Sequence, residues 1–157
     1  IVVRNKVHDG PKMVDDYRNP CTPPVEPASD VPNSNMCVIE EMPIKSLITY
    51  PASGAKFNFG DKVEIRGNAW SGIGDVKEVF VSIDFGATWI KANLKKPVNK
   101  FAWQRFSANL KFPAKGYYEL WARAVDKKGV SQPMVIPGWN PKGYLNNATH
   151  RIAVKIV

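Results

Sequence analysis

The chain predicts an all-β fold: an immunoglobulin-like β-sandwich of about seven strands behind an extended, proline-rich N-terminal arm. Three observations carry that expectation. Short apolar runs alternate with polar residues at a period of two, the period of a half-buried strand. Gly, Pro, Asn and Asp punctuate these runs at strand-like intervals. No stretch sustains a helical period. With 157 residues, 44% apolar and 11% aromatic, the chain can bury one core and still carry an arm.

The arm comes first. "YRNPCTPPVEPASDVPNSN" holds five prolines with Ser, Asn and Asp between them. Proline removes donors and fixes φ, so this segment cannot make a helix or a central strand and reads as an extended connector. From Met42 the pattern changes, which divides the chain into an arm, 1–42, and a sandwich domain, 43–157.

The strands follow in order. "SLITYP" is the first. In "DKVEIRG", Val63 and Ile65 face one way, and Lys62, Glu64 and Arg66 the other. In "VKEVFVSIDFG", Val79, Val81, Ile83 and Phe85 share a face. "TWIKANL" reads as one strand, and "FAWQRFSANLKF" as a long one whose alternation slips between Trp103 and Phe106, the mark of a bulge. "YYELWARAVD" puts Tyr118, Leu120, Ala122 and Ala124 on one side, and "HRIAVKIV" turns Ile152, Val154 and Ile156 inward. The predicted core is Ile65, Val81, Ile83, Leu120, Ala122, Ile152 and Val154.

Charge is uneven. Residues 1–42 carry four Lys or Arg against seven Asp or Glu, which leaves eighteen basic against seven acidic groups for the rest. Such a surface attracts anions, or is a solvated lysine-rich face. A nucleic-acid partner is not expected, because the Trp and Tyr residues fall at strand period and are explained as core or cross-strand pairs. No stretch approaches the roughly 20 apolar residues of a membrane span. An opening on Ile-Val-Val without Met is expected of a fragment or a processed chain.

Chemistry-bearing motifs are few. Cys21 and Cys37 match no zinc spacing; they form a disulfide in an oxidising compartment or remain two thiols. His8 and His150 are far apart, so no metal site is expected. "GIGD" at 72–75 lies between strands and reads as a turn, not a dinucleotide fingerprint. "NAT" at 147–149 is a bare sequon. No nucleophile-base arrangement, paired carboxylates or phosphate loop is present, so the residues alone describe a binding or assembly module.

Five motifs in one order add more: "MPIKSLITYP" (42–51), "GNAWSG" (67–72), "DFGATW" (84–89), "AVDKKGVSQP" (124–133) and "WNPKGYLNNATHR" (139–151). Together they resemble the C-terminal dimerisation domain of the sulfite oxidase family, molybdenum-molybdopterin oxidoreductases. "DDYRN" (15–19) resembles, more loosely, the crossover from that family's catalytic domain.

The resemblance implies a catalytic domain upstream that would hold the molybdenum-molybdopterin cofactor and its ligand cysteine. This chain would then have no catalytic residue, cofactor or metal of its own, with Cys21 and Cys37 excluded from the ligand role. It implies a homodimer through the sandwich, oxidation of sulfite or a related sulfur oxyanion, and electron transfer to a cytochrome or haem subunit. In sulfite-oxidising members the terminal loop carries an Arg that grips the anion; the matching residue is Lys142, a point charge without the guanidinium fork. Trp139, Asn140, Gly143, Asn147, His150 and Arg151 would build that loop and dock the last strand. The "WNPKGY" variant and a disulfide suggest a bacterial, periplasmic protein. Two other readings stand beside this one: a free-standing immunoglobulin-like interaction or carbohydrate-binding module, and the same domain of a nitrate reductase.

Overall fold

The computed structural model describes residues 2–6, 10, 16–136, 138 and 141–157. These fall into two compact units, Ile1–Glu41 with Ile136–Asn146, and Met42–Val135 with Asn147–Val157. The stretch 136–146, contiguous in sequence with the sandwich, groups with the arm.

In the first unit, β1 (Arg18–Pro20) and β2 (Met36–Val38) pair antiparallel, with Asn19 opposite Cys37. Pro20 is tolerated because β1 has a partner on one side only. The prolines between the strands form no regular element beyond a 3-10 turn at Asn33–Asn35. Cys21 and Cys37 are joined by a disulfide at the end of this ladder. The segment read as an open connector is thus tied across its ends.

The second unit is all-β and packs two sheets face to face. One sheet has the order β4-β11-β10-β6-β7 and the other β3-β5-β9-β8. The strands are β3 (Lys45–Tyr50), β4 (Ala55–Phe57), β5 (Val63–Trp70), β6 (Val76–Ser82), β7 (Ile90–Lys91), β8 (Asn93–Leu94), β9 (Gln104–Leu110), β10 (Gly116–Asp126) and β11 (His150–Ile156). All neighbours pair antiparallel except β11 and β4, which are parallel.

Alternation fixes which side chains meet between the sheets. Ile65, Val81, Leu120 and Ala122 are fully buried, and Val154 and Ile152 are nearly so. Ile83 is half-buried against the core, because β6 ends at Ser82. Phe85 does not share its face: the chain turns there with φ 57°, and the ring is 56% exposed.

Two other local expectations are corrected. "TWIKANL" is not one strand. Ile90–Lys91 pairs with β6, Asn93–Leu94 pairs with β9 in the opposite sheet, and buried Ala92 marks the crossing, its N–H donating to Val79 O at 2.8 Å. The bulge expected at 103–106 is absent, since β9 pairs with β5 in unbroken register from Gln104. The apparent slip arises because a polar residue, Gln104, occupies a buried position: its Oε1 accepts from Val76 N at 2.7 Å and its Nε2 donates to Lys95 O at 3.2 Å. Register shifts occur instead between Ile48 and Tyr50 and between Val125 and Asp126.

"GNAWSG" runs from a strand into a turn. Gly67 to Trp70 complete β5, and only the residues after them bend. Gly67 faces the interior opposite Phe106, where a Cβ would drive into Leu47 O and the Phe106 ring. Gly72 lies on the Met42 backbone, donating its N–H to Met42 O at 2.8 Å in a space that has no room for a Cβ. Both glycines serve close approach.

Candidate functional site

The quoted motifs become intelligible as loop anchors. In "DFGATW", Asp84 gathers the loop: its Oδ1 accepts from Ser82 Oγ at 2.6 Å and Thr88 N at 2.9 Å, and its Oδ2 accepts from Thr88 Oγ1. These bonds, that from Ser82 foremost, hold the carboxyl down at about 2. Trp89 at the end of the loop lies under the Arg123 guanidinium, 4.1 Å from the ring centre. In "AVDKKGVSQP", buried Asp126 accepts at Oδ1 from Lys128 N (2.8 Å) and Val130 N (2.9 Å), which fixes the turn leaving β10.

Gln132 ends that motif and is 2% exposed. Its Oε1 accepts from Ser46 Oγ at 2.6 Å and Ala124 N at 2.9 Å. Its Nε2 donates to Asn147 O at 3.0 Å and Ala148 O at 3.2 Å. One side chain therefore ties β3, β10 and the approach to β11. Sequence reasoning quoted this residue but assigned it no role; the signal available was an amide inside a motif otherwise made of turn residues.

The residues expected to form the terminal loop divide between the two units. Trp139 and Asn140 lie outside the described residues. Lys142 and Gly143 belong to the first unit, both exposed, with Gly143 at φ 71° in a turn. There Tyr144 stacks on Tyr17 of the arm with ring centres 5.3 Å apart. Gly138 packs on Pro24, leaving no space for a side chain.

Asn147, His150 and Arg151 belong to the sandwich. Asn147 is half-buried and its Nδ2 reaches Ile44 O at 3.5 Å, while Thr149 Oγ1 donates to Pro133 O at 3.0 Å, so the sequon residues make internal bonds. His150 Nδ1 accepts from Ile48 N at 3.1 Å, on the open edge of β3, and so bridges the two sheets. An accepting Nδ1 places the ring proton on Nε2. Burial, and then the Lys45 charge, push the imidazole below its ordinary 6.5. Arg151 is exposed, with its guanidinium 5.8 Å from the Trp121 ring centre.

The described members of this set offer no thiolate to a molybdenum-pterin group. Among the described residues no three His, Cys, Asp or Glu side chains gather as a metal site, and the disulfide removes both thiolates from ligation. What the described residues build is a hydrogen-bonded sandwich in the second unit and, in the first, a turn on which Lys142 is exposed.

Comparison with known proteins matches this scaffold. The profile of the Mo-co oxidoreductase dimerisation domain covers residues 36–157. The mitochondrial sulfite oxidase of Mus musculus is 40% identical over 126 residues, 76% of this chain and 23% of the mouse protein. That of Drosophila melanogaster is 32% identical over 173 residues, 100% of this chain and 29% of the fly protein. Among solved structures, the sulfane dehydrogenase SoxCD from Paracoccus pantotrophus superposes with a TM-score of 0.68 at 26% identity, covering 96% of this chain and 38% of that one. The chain thus spans about a quarter of the length of its curated relatives. An all-β sandwich chain matched by this profile over residues 36–157 belongs to the Mo-co oxidoreductase dimerisation domain family.

Proposed function

We propose that this chain is the dimerisation portion of a molybdenum-dependent enzyme that oxidises sulfite or a related sulfur oxyanion. The observation that carries the reading is the family match over 36–157, joined to relatives named sulfite oxidase and sulfane dehydrogenase. An upstream catalytic domain holds molybdenum-molybdopterin, and two chains pair through their sandwiches. The overall reaction takes sulfite and water to sulfate, two protons and two electrons, and the electrons pass to a cytochrome or haem subunit. The Cys21–Cys37 disulfide favours an oxidising compartment, which for a bacterial chain is the periplasm.

Within this reading Lys142 is the chain's contact to the anion. Its support is that 136–146 groups with the arm, the part of the chain that leads to the catalytic domain, and that Lys142 is exposed there. An ammonium supplies charge without the forked geometry of a guanidinium. In the full-length protein, Lys142→Met is expected to raise KM for sulfite by about 5- to 30-fold with kcat little changed, the loss of one charged contact of about 1–2 kcal/mol. Lys142→Arg should keep or lower KM. Unchanged kinetics in Lys142→Met for every sulfur oxyanion tried would reduce the loop to a docking turn.

A further inference from the structure

The outer face of the β3-β5-β9-β8 sheet carries a feature that the reading of Lys142 leaves unused. Two clefts lie side by side there, of about 550 and 610 Å³, sharing Asn68, Lys95 and Arg105 in their walls. Arg66 lines the first cleft and Lys96 the second. Against these four cations stands one lining carboxylate, Glu64, held 3.5 Å from Arg66 Nε. Lys91 and Lys127 elsewhere on the sandwich meet carboxylates at 2.7 Å. Lys95, Lys96 and Arg105 have no acidic side chain within 4 Å among the described residues.

The strand register brings these charges together. Arg66 lies opposite Ser107, and Asn68 opposite Arg105, so the two arginines are diagonal neighbours on one face. Adjacent like charges cost stability unless an anion joins them. The surrounding backbone and one ring restrain them. Lys95 N donates to Arg105 O at 2.9 Å, and the Arg66 guanidinium rests 4.5 Å from the Tyr50 ring centre. The strand backbone under Lys95 and Arg105 is therefore fixed, and the Arg66 guanidinium is partly ordered before any ligand arrives, which lowers the entropy lost on binding.

We infer that this basic groove docks an extended acidic segment of a partner protein. Charge complementarity selects an anionic chain, and the aromatic content selects a polypeptide over a nucleic acid. Single-stranded nucleic acids bind on successive stacking platforms, whereas of the two exposed rings in the walls Tyr50 is covered by the Arg66 guanidinium and Trp103 is stacked on Trp70 at 5.1 Å. Carboxylates spaced along an extended peptide can meet Arg66, Arg105, Lys95 and Lys96 in turn.

The test is fluorescence anisotropy of the full chain with a labelled decapeptide of alternating Asp and Glu. The double variant Lys95→Gln/Arg105→Gln should bind at least tenfold more weakly than the parent. Lys128→Gln/Lys155→Gln, which removes equal charge at exposed positions outside the groove, should stay within twofold. Because the groove substitutions are exposed, thermal midpoints should hold; if they fall, the single variant Lys96→Gln, expected to lose about threefold, decides. Equal losses in both double variants would reduce the effect to net charge and overturn the proposal. So would a dT12 oligonucleotide that binds more tightly than the peptide with the same dependence on Lys95 and Arg105. A dimer that the Lys95→Gln/Arg105→Gln change converts to monomer would put a second copy on the groove and equally overturn it.

Discussion

Gln132 offers the sharpest test of how the scaffold is held. Replacing it by Ala removes an acceptor from Ala124 N and Ser46 Oγ and a donor from the carbonyls of Asn147 and Ala148, at a site only 2% exposed. Ser46 Oγ keeps an alternative at Ala122 O, 3.1 Å away, but no second partner takes up the Ala124 N–H. One orphaned buried donor costs about 1–3 kcal/mol, and the cavity left by the side chain adds to it. The sum is about 2–4 kcal/mol, or a fall in Tm of about 5–15 °C for a chain of this size. Thermal and urea unfolding of the full chain measure it. Gln132→Met, which keeps volume but not polarity, should recover only the cavity part, and Gln132→Glu should not rescue, because a carboxylate cannot donate to two carbonyls. Hydrogen exchange should quicken at 147–149 before it does in β5 or β9. A loss below about 1 kcal/mol in Gln132→Ala, or full rescue by Glu, would refute the reasoning.

Two further predictions rest on the sandwich. His150 has its folded pKa depressed, so the unfolded chain binds the proton more readily. Stability from this group is therefore complete above about pH 6.5 and declines as pH falls through the lower folded value; His150→Gln should flatten the curve between pH 7 and 5, and parallel curves would contradict it. Gly67→Ala places a methyl into Leu47 O and the Phe106 ring. Overpacking of this kind costs about 1–3 kcal/mol or more, and urea midpoints unchanged from the parent would show that β3 and Phe106 yield freely.

Much of this fold was legible because long strands announce themselves. In β5, β6, β10 and β11 the apolar residues alternate, and of the seven residues expected inside all but Ile83, just past the end of β6, are buried. β4 was not legible: three residues pair with β11 through main-chain bonds, which leave no side-chain pattern. The sheet switch at Ala92 was hidden for the opposite reason, since "TWIKANL" shows nothing at the point where its pairing partner changes. Gln104 and Gln132 defeat apolar patterning altogether, because a buried amide reads as a surface residue until its partners are seen. Lys142 was singled out by its place in a motif, whereas its grouping with the arm depends on contacts distant in sequence.

On the proposed function, this scaffold serves a molybdenum enzyme acting on sulfur oxyanions. The most direct test is turnover by the full-length protein: sulfite-dependent reduction of cytochrome c, with sulfate and molybdenum quantified together. The expected result is about one molybdenum per chain and one sulfate for every two electrons delivered. Full-length protein that carries molybdenum yet reduces nitrate and leaves sulfite and every other sulfur oxyanion untouched would contradict it.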